Sequence, residues 1–315
     1  MQSSDAGHES DAFHDAAVER IRSDHQHGAS WLARAAARTL AQAVDADNAG
    51  ESDAARLQRV HTLARDMALT RPSMAAIANT LASIWQAAEN SEPTRQLQAL
   101  SEAARAVDQR WGAAIGGMTQ WARDVVAGPV YTLSRSGSVE SVLATLARER
   151  AGADPLRVIV SESRPGFEGV ALATALAAAG AQITLVVDGA SAAFIEQVAQ
   201  VIVGADSVRS DGSVVNKIGT HALALVARAA GKPVYALAES LKVTPASFPL
   251  VIEEMAPDEL LAAPVAGITP RNVYFDVTPA ALITAVVTES GPQTAAAIRQ
   301  MAAVAERAYE TLMLP

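Results

Sequence analysis

With 315 residues, half of them apolar, the chain can bury a sizeable core, and its lack of cysteine excludes disulfide scaffolds, cysteine metal sites and thiolate catalysis. A net charge of −9 argues against an extended basic surface for nucleic acid or anionic lipid but not against a local anion pocket, and the expected partner is small. No apolar run approaches the roughly 20 residues that span a bilayer, and the acidic start Gln2 to Asp15 has no signal-peptide pattern, which predicts a soluble cytoplasmic protein.

Alanine is frequent and aromatic residues make up only 4%, a composition that favours close-packed helices. Up to about residue 127 the apolar positions recur at helical spacing. After Pro72, for instance, Met74, Ile77, Ala78, Leu81, Ile84 and Trp85 fall on one face, with Pro72 placed in the first turn. Asp45 to Gly50 reads as a turn between helices. From Gly128 onward short apolar runs take over: Val130 to Leu133, Arg157 to Val160, Ile183 to Val187, Val201 to Val203 and Val234 to Ala238. Alanine-rich stretches such as Val170 to Ala179 and His221 to Ala230 separate several of them. The alternation predicts an α/β protein: an N-terminal helical domain over 1–127, then a domain over 128–315 built on a doubly wound parallel sheet. Apolar runs without strict alternation fit strands buried on both faces, and right-handed crossovers leave the loops after the strand C-termini as the place for a ligand.

Those loops carry polar chemistry. After the first run comes Ser134-Arg135-Ser136-Gly137-Ser138, either an anion cradle at a helix start or a serine cap beside a surface arginine. After the second comes Glu162 to Gly169, where Arg164 sits between two acids as a structural ion pair or a ligand clamp. Asp206 ends the run Val201 to Val203; a carboxylate at the end of a buried strand serves as a general acid or caps the next turn. Asn216 and Lys217 lie just before the helix start at Gly219-Thr220, and Glu239 to Lys242 follows the run ending at Ala238. Arg135, Arg164, Lys217 and Lys242 thus gather at strand ends in an otherwise acidic chain. They are expected to face one hollow around Asp206, as a doubly anionic small molecule requires.

The chain has no GxGxxG opening a helix after a strand, no GxxxxGK[ST], no HExxH and no GxSxG, so dinucleotide, P-loop, zincin and hydrolase-elbow chemistries have no support. His25-Gln26-His27 has a metal-like spacing, but further ligands beyond Asp24 are not evident, and it reads as a loop or ligand contact. No metal and no cofactor are expected.

Five blocks together resemble one superfamily: Ser161 to Gly169 (SESRPGFEG), Val203 to Asp206 (VGAD), Val215 to Thr220 (VNKIGT), Ala238 to Lys242 (AESLK) and Tyr274 to Pro279 (YFDVTP). The superfamily contains archaeal-type ribose-1,5-bisphosphate isomerases, methylthioribose-1-phosphate isomerases and the alpha, beta and delta subunits of translation initiation factor 2B. The resemblance spans most of residues 20–315 and implies a Rossmann-like sheet domain. It places His27-Gly28-Ala29 on the N-terminal substrate loop, where the isomerases have Arg-Gly-Ala, and Arg71 on a substrate-contacting arginine. Arg135, Ser136, Asn216, Lys217 and Lys242 fall on positions resembling sugar-phosphate contacts, and Asp206 on the catalytic acid. The resemblance further implies self-association as a dimer or hexamer, with Val277 to Val287 near the interface.

Ser134 is the departure. The isomerases resemble one another in carrying cysteine there, a thiol assigned the proton-accepting role, whereas a hydroxyl is far less acidic than a thiol of pKa about 8.5. The expected function is therefore binding of a phosphorylated sugar or nucleoside monophosphate without efficient isomerase chemistry. The alternatives are an active aldose-ketose isomerase converting ribose 1,5-bisphosphate to ribulose 1,5-bisphosphate with Asp206 as acid, and a structural or regulatory assembly subunit. No membrane and no direct nucleic-acid contact are expected.

Overall fold

The computed structural model describes residues 3–24, 27–46, 50–150, 152, 154–252 and 254–314, leaving aside the side chains of 3–11. His25 and Gln26, half of the metal-like spacing, lie outside the described residues, as do 47–49 of the expected turn. Six helices come first: α1 (Ser3–Arg22), α2 (Ala29–Asp45), α3 (Asp53–Ala68), α4 (Ala75–Glu89), α5 (Gln96–Arg105) and α6 (Val107–Val125). The Ser52 side chain caps α3 by accepting the Ala55 N–H. Helix α4 starts later than the sequence suggests. Pro72 lies in the turn before it, and the Ala75 N–H donates instead to Ser207 Oγ at 3.0 Å, while that hydroxyl donates to the Ser73 carbonyl at 2.7 Å. A cap supplied from a distant strand is invisible to local spacing.

The apolar stripe after Pro72 does face inward: Ile77, Leu81 and Ile84 are fully buried, in one cluster with Leu32, Leu40 and Leu100. The last helix, α11 (Ala295–Met313), joins the same cluster through Ala308 and Leu312. The buried His61 ring donates to the Leu312 carbonyl at 2.8 Å and stacks on Trp85 at 4.2 Å.

The main sheet has the order β10-β9-β7-β4-β1-β2-β3. Strands β1 (Val130–Leu133), β2 (Arg157–Ser161), β3 (Gln182–Val186), β4 (Gln200–Gly204), β7 (Val234–Leu237) and β9 (Ala285–Thr288) run parallel, and β10 (Gly291–Gln293) is antiparallel to β9. A second sheet of β5 (Ser207–Val208), β6 (Val214–Lys217) and β8 (Phe275–Thr278) is antiparallel. Helices α7 (Gly137–Glu149), α8 (Glu168–Ala178), α9 (Ser191–Phe194) and α10 (Thr220–Ala229) complete the windings. Met118 and Ala122 of α6 pack with Val142 and Leu143 of α7 on one face of the sheet. The run Ile183 to Val187 is not buried on both faces as expected. It forms the edge strand β3, so it has a neighbour on one side alone, and Leu185 is 46% exposed.

The order of the central strands reverses between β1 and β4, because the chain winds one way through β1, β2 and β3 and the other way through β4, β7 and β9. In open α/β sheets the crevice outside the strand C-termini at that switch point holds ligands. Here it lies between Ser134 and Asp206. No helix among the described residues is long and apolar enough to cross a membrane.

Candidate functional site

Ser134, the residue after β1, is in the left-handed region, with φ at 58°. A side-chain-bearing residue held there costs free energy and persists only where its surroundings over-determine it. Those surroundings are the loop after β2. The Ser134 N–H donates to Ser163 Oγ at 2.7 Å; Ser163 also has a positive φ, and Asp188 accepts the N–H groups of Ser163 and Arg164 at 2.8 and 2.7 Å. Phe167, the third residue of this kind among those described, lies in the same loop. Two adjacent strand ends are thus locked to each other.

Next to them stands Asp206, half-buried, at the end of β4. Burial pushes its carboxyl above the ordinary carboxylate range, against the pull of Lys242, Lys217 and Arg71 and of the Ala29 N–H, which donates to it. Lys217, Lys242 and Arg71 are all buried, and they come from β6, from the turn Ser240–Lys242 and from the approach to α4. The Ala29 N–H belongs to the first turn of α2, so a helix N-terminus also points at the carboxylate.

Each lysine has an acidic companion. Lys217 Nζ is 2.5 Å from Glu168 Oε1 and 3.9 Å from the centre of the Tyr274 ring. Lys242 Nζ is 3.1 Å from Glu239 Oε2, and Glu239 also accepts from Ser138 Oγ at 2.6 Å and Ser30 Oγ at 3.2 Å. Burial alone would raise the Glu239 carboxyl, but Lys242 and Ser138 outweigh it and hold it below its usual range. Neither Glu168 nor Glu239 was picked out by sequence reasoning. The three-residue spacing of Glu239 and Lys242 was a visible signal for one of them; nothing local links Glu168 to Lys217.

The expected hollow is therefore built by fewer cations than the sequence suggested. Arg135 is exposed and donates to Glu140 at 2.6 Å, drawn along α7 by an acid in its first turn. Arg164 is exposed and lies over the Phe167 ring, 4.9 Å from its centre. Neither is brought to Asp206; Arg71 takes their place. Ser136 is close: its Oγ is buried without a partner among the described residues, and it packs on Gly204, where a Cβ would lie 2.4 Å from its own. Asn216 donates to Thr220 Oγ1 at 2.9 Å, fixing the start of α10. Asp276, from the YFDVTP block, accepts the N–H groups of Gly219 and His221 at 2.8 and 3.1 Å, which makes it a cap for α10. His27 approaches through its loop, with its ring paired to Asp24 at 2.8 Å, while Gly28 lies against the Arg135 carbonyl. The Arg71 guanidinium donates to the Asp24 carbonyl at 2.7 Å. A cavity of about 580 Å³ lies elsewhere, between α1 and α3, and contains none of the Asp206 cluster. Among the described residues no group of three or more acids or histidines could hold a metal.

The model of the initiation factor 2 subunit family matches residues 25–295. This chain belongs to that family. It is 30% identical over 288 residues to a ribose 1,5-bisphosphate isomerase of Archaeoglobus fulgidus, covering 87% of this chain and 88% of that one. A methylthioribose-1-phosphate isomerase of Gemmatimonas aurantiaca is 33% identical over 288 residues, covering 87% and 83%. Among solved structures, the translation initiation factor eIF-2B of Pyrococcus horikoshii superposes with a TM-score of 0.73 at 26% identity, covering 89% of this chain and 96% of that one.

The raised Asp206 carboxyl has a consequence for stability. A folded-state pKa above the unfolded one means that the folded chain holds this proton more tightly, so the group stabilises the fold at acid pH and that stability is lost as pH rises through the folded value. Asp206→Asn, which mimics the protonated acid, is expected to match the wild type below the ordinary carboxylate pKa of about 3.9 and to exceed it increasingly toward neutral pH. Urea unfolding of both proteins across that range measures the gap; a gap that narrows with rising pH would contradict the assignment.

Proposed function

We propose that this chain binds a phosphorylated pentose or a nucleoside monophosphate at the Asp206 cluster, and that it lacks efficient isomerase chemistry. The observation that carries the binding is the burial of Arg71, Lys217 and Lys242, from three separate elements, around the Asp206 carboxyl at the switch point. Ser134 supports the second half of the reading, since its hydroxyl replaces the thiol implied by the family resemblance and no histidine ring donates to or accepts from it among the described contacts. The relatives named as isomerases support the sugar-phosphate class of ligand.

Incubation with ribose 1,5-bisphosphate, and separately with AMP, tests both halves when melting temperature and product are followed together. Each ligand is expected to raise the melting temperature, with the sugar resonances in the NMR spectrum unchanged over hours. Absence of any shift overturns the binding. Rapid conversion overturns the inactivity and selects the second reading, an aldose-ketose isomerase in which Asp206 delivers a proton to the ring oxygen; the raised pKa of that carboxyl favours it. Self-association belongs to the same proposal and is supported by the apolar residues left exposed on the edge strand β3 and just after it, Leu185 and Val187.

A further inference from the structure

Lysine is scarce in this chain: Lys217, Lys232 and Lys242 are the full set, and two of the three are buried at the site. Those two are held differently. Lys242 is paired with the carboxylate three residues before it, whereas Lys217 has an aromatic neighbour as well as an acid. Tyr274 comes just before β8, which pairs with β6 so that Lys217 is opposite Phe275 and the Ile218 N–H donates to the Tyr274 carbonyl at 2.7 Å. This ladder brings the tyrosine ring beside the end of β6. The Lys217 ammonium lies 3.9 Å from the ring centre, well within the range of about 6 Å over which an aromatic face attracts a cation.

The ring is anchored at its far end. The Tyr274 hydroxyl donates to Glu259 Oε2 at 2.5 Å, and Asn272 Nδ2 donates to the same oxygen at 2.7 Å and to the Ala256 carbonyl at 2.8 Å. Tyr274 and Asn272 are both buried, so packing and hydrogen bonds together fix the ring in one orientation. A phenol that donates to a carboxylate is polarised by it, and the electron density released into the ring strengthens its hold on a cation. Glu168 is a weaker restraint on Lys217. Its side chain is 25% exposed at the start of α8, and an arriving phosphate competes with it for the same ammonium. An aromatic face holds the cation from one side without a full negative charge and leaves N–H groups free to donate to an anion.

We infer that Tyr274, anchored by Glu259, is a positioning residue whose ring keeps the Lys217 ammonium in place for the anion as the Glu168 contact is given up. The inference rests on the phosphate reading above and adds to it a residue that acts through Lys217. Ordering the lysine before the ligand arrives raises affinity by cutting the cost of binding.

Lysine labelled with carbon-13 at Cε makes the placement visible, since each of the three lysines gives its own NMR signal. In the full-length wild type the Lys217 signal is expected upfield of the other two, through the ring current of Tyr274, and to stay there when ribose 1,5-bisphosphate is added. Calorimetric titration with the same ligand reads the affinity. In Tyr274→Leu the upfield shift is lost and the affinity falls about tenfold, while Tyr274→Phe keeps the shift and most of the affinity. Glu259→Ala, at an exposed position, gives a reduced shift and a smaller loss. Melting temperatures and an unmoved Lys242 signal are the folding controls. A Lys217 signal at the ordinary position in the wild type, wild-type affinity in Tyr274→Leu, or a loss in Tyr274→Phe as large as in Tyr274→Leu overturns the positioning role and leaves the phosphate site standing. Wild-type shift and affinity in Glu259→Ala overturn the anchored ring, and this surface variant carries the test should Tyr274→Leu not fold. Failure of the wild type to bind ribose 1,5-bisphosphate overturns the phosphate reading together with the inference.

Discussion

Replacing Lys242 by methionine is expected to destabilise the chain by about 3–5 kcal/mol, the cost of breaking a buried ion pair by removing one partner. The pair is well enclosed, with side-chain exposures of 4% for Lys242 and 8% for Glu239. Methionine fills much of the lysine volume, so the loss is electrostatic more than steric. Glu239 would keep only Ser138 and Ser30 as donors, and Asp206 would lose the largest of the charges that offset its burial. The sign of the pH dependence follows from Glu239. Its carboxyl is held below the usual range in the wild type, so its contribution is present above the unfolded pKa and fades as pH falls. Once Glu239 can take up a proton, the variant no longer carries an unpaired charge. Its deficit against the wild type should therefore shrink in acid, and Lys242→Met combined with Glu239→Gln should recover part of the loss at neutral pH. Urea titrations at two pH values measure both effects. A deficit that stays constant with pH would mean that the pair is not what Lys242 contributes.

A second large effect is expected at Gly169, in the first turn of α8. A Cβ there would lie 1.7 Å from the Ser161 carbonyl oxygen and 3.0 Å from the Glu162 carbonyl carbon, both main-chain atoms. Neither can rotate away, so Gly169→Ala must push α8 off the end of β2. The penalty is expected at or beyond the upper end of overpacking, about 3 kcal/mol or more. The same displacement would move Glu168 from Lys217 and Ser163 from Ser134. Gly166→Ala is the informative comparison. Its Cβ would meet only the Glu168 carboxylate, at 2.9 Å, and a side-chain end can swing aside. That variant should be destabilised less than Gly169→Ala, its cost being confined to the disturbed Lys217–Glu168 pair. If the two alanine variants have equal stability by urea unfolding, the close approach of α8 to β2 is not a constraint.

The parts of this architecture that could be read in the sequence are those set by local period. Runs such as Val130 to Leu133 and Val234 to Ala238 became β1 and β7 because a buried parallel strand is apolar on both faces and leaves an unmistakable block. The small antiparallel sheet escaped. Strand β5 is two residues long, and β6 carries Asn216 and Lys217, whose burial is made possible by Thr220, Glu168 and Tyr274 from elsewhere in the chain. Asp206 stands out in the sequence because it closes a buried strand, a position that fits a general acid and a turn cap alike. Arg135 and Arg164 looked equivalent to Lys217 in sequence, yet Glu140 and Phe167, a few residues away, hold both outside. Charge type and loop position are local properties. Which side of a loop a charge faces is decided by its tertiary partners.

The placement of α11 sets a condition on biosynthesis. Leu312, near the end of α11, is fully buried among side chains contributed by the first third of the chain. Until α11 has left the ribosome, the surfaces of α3 and α4 that it covers have nothing to shield them. The N-terminal helices therefore wait, partly unsealed and open to chaperone capture, for a segment made about two hundred residues later.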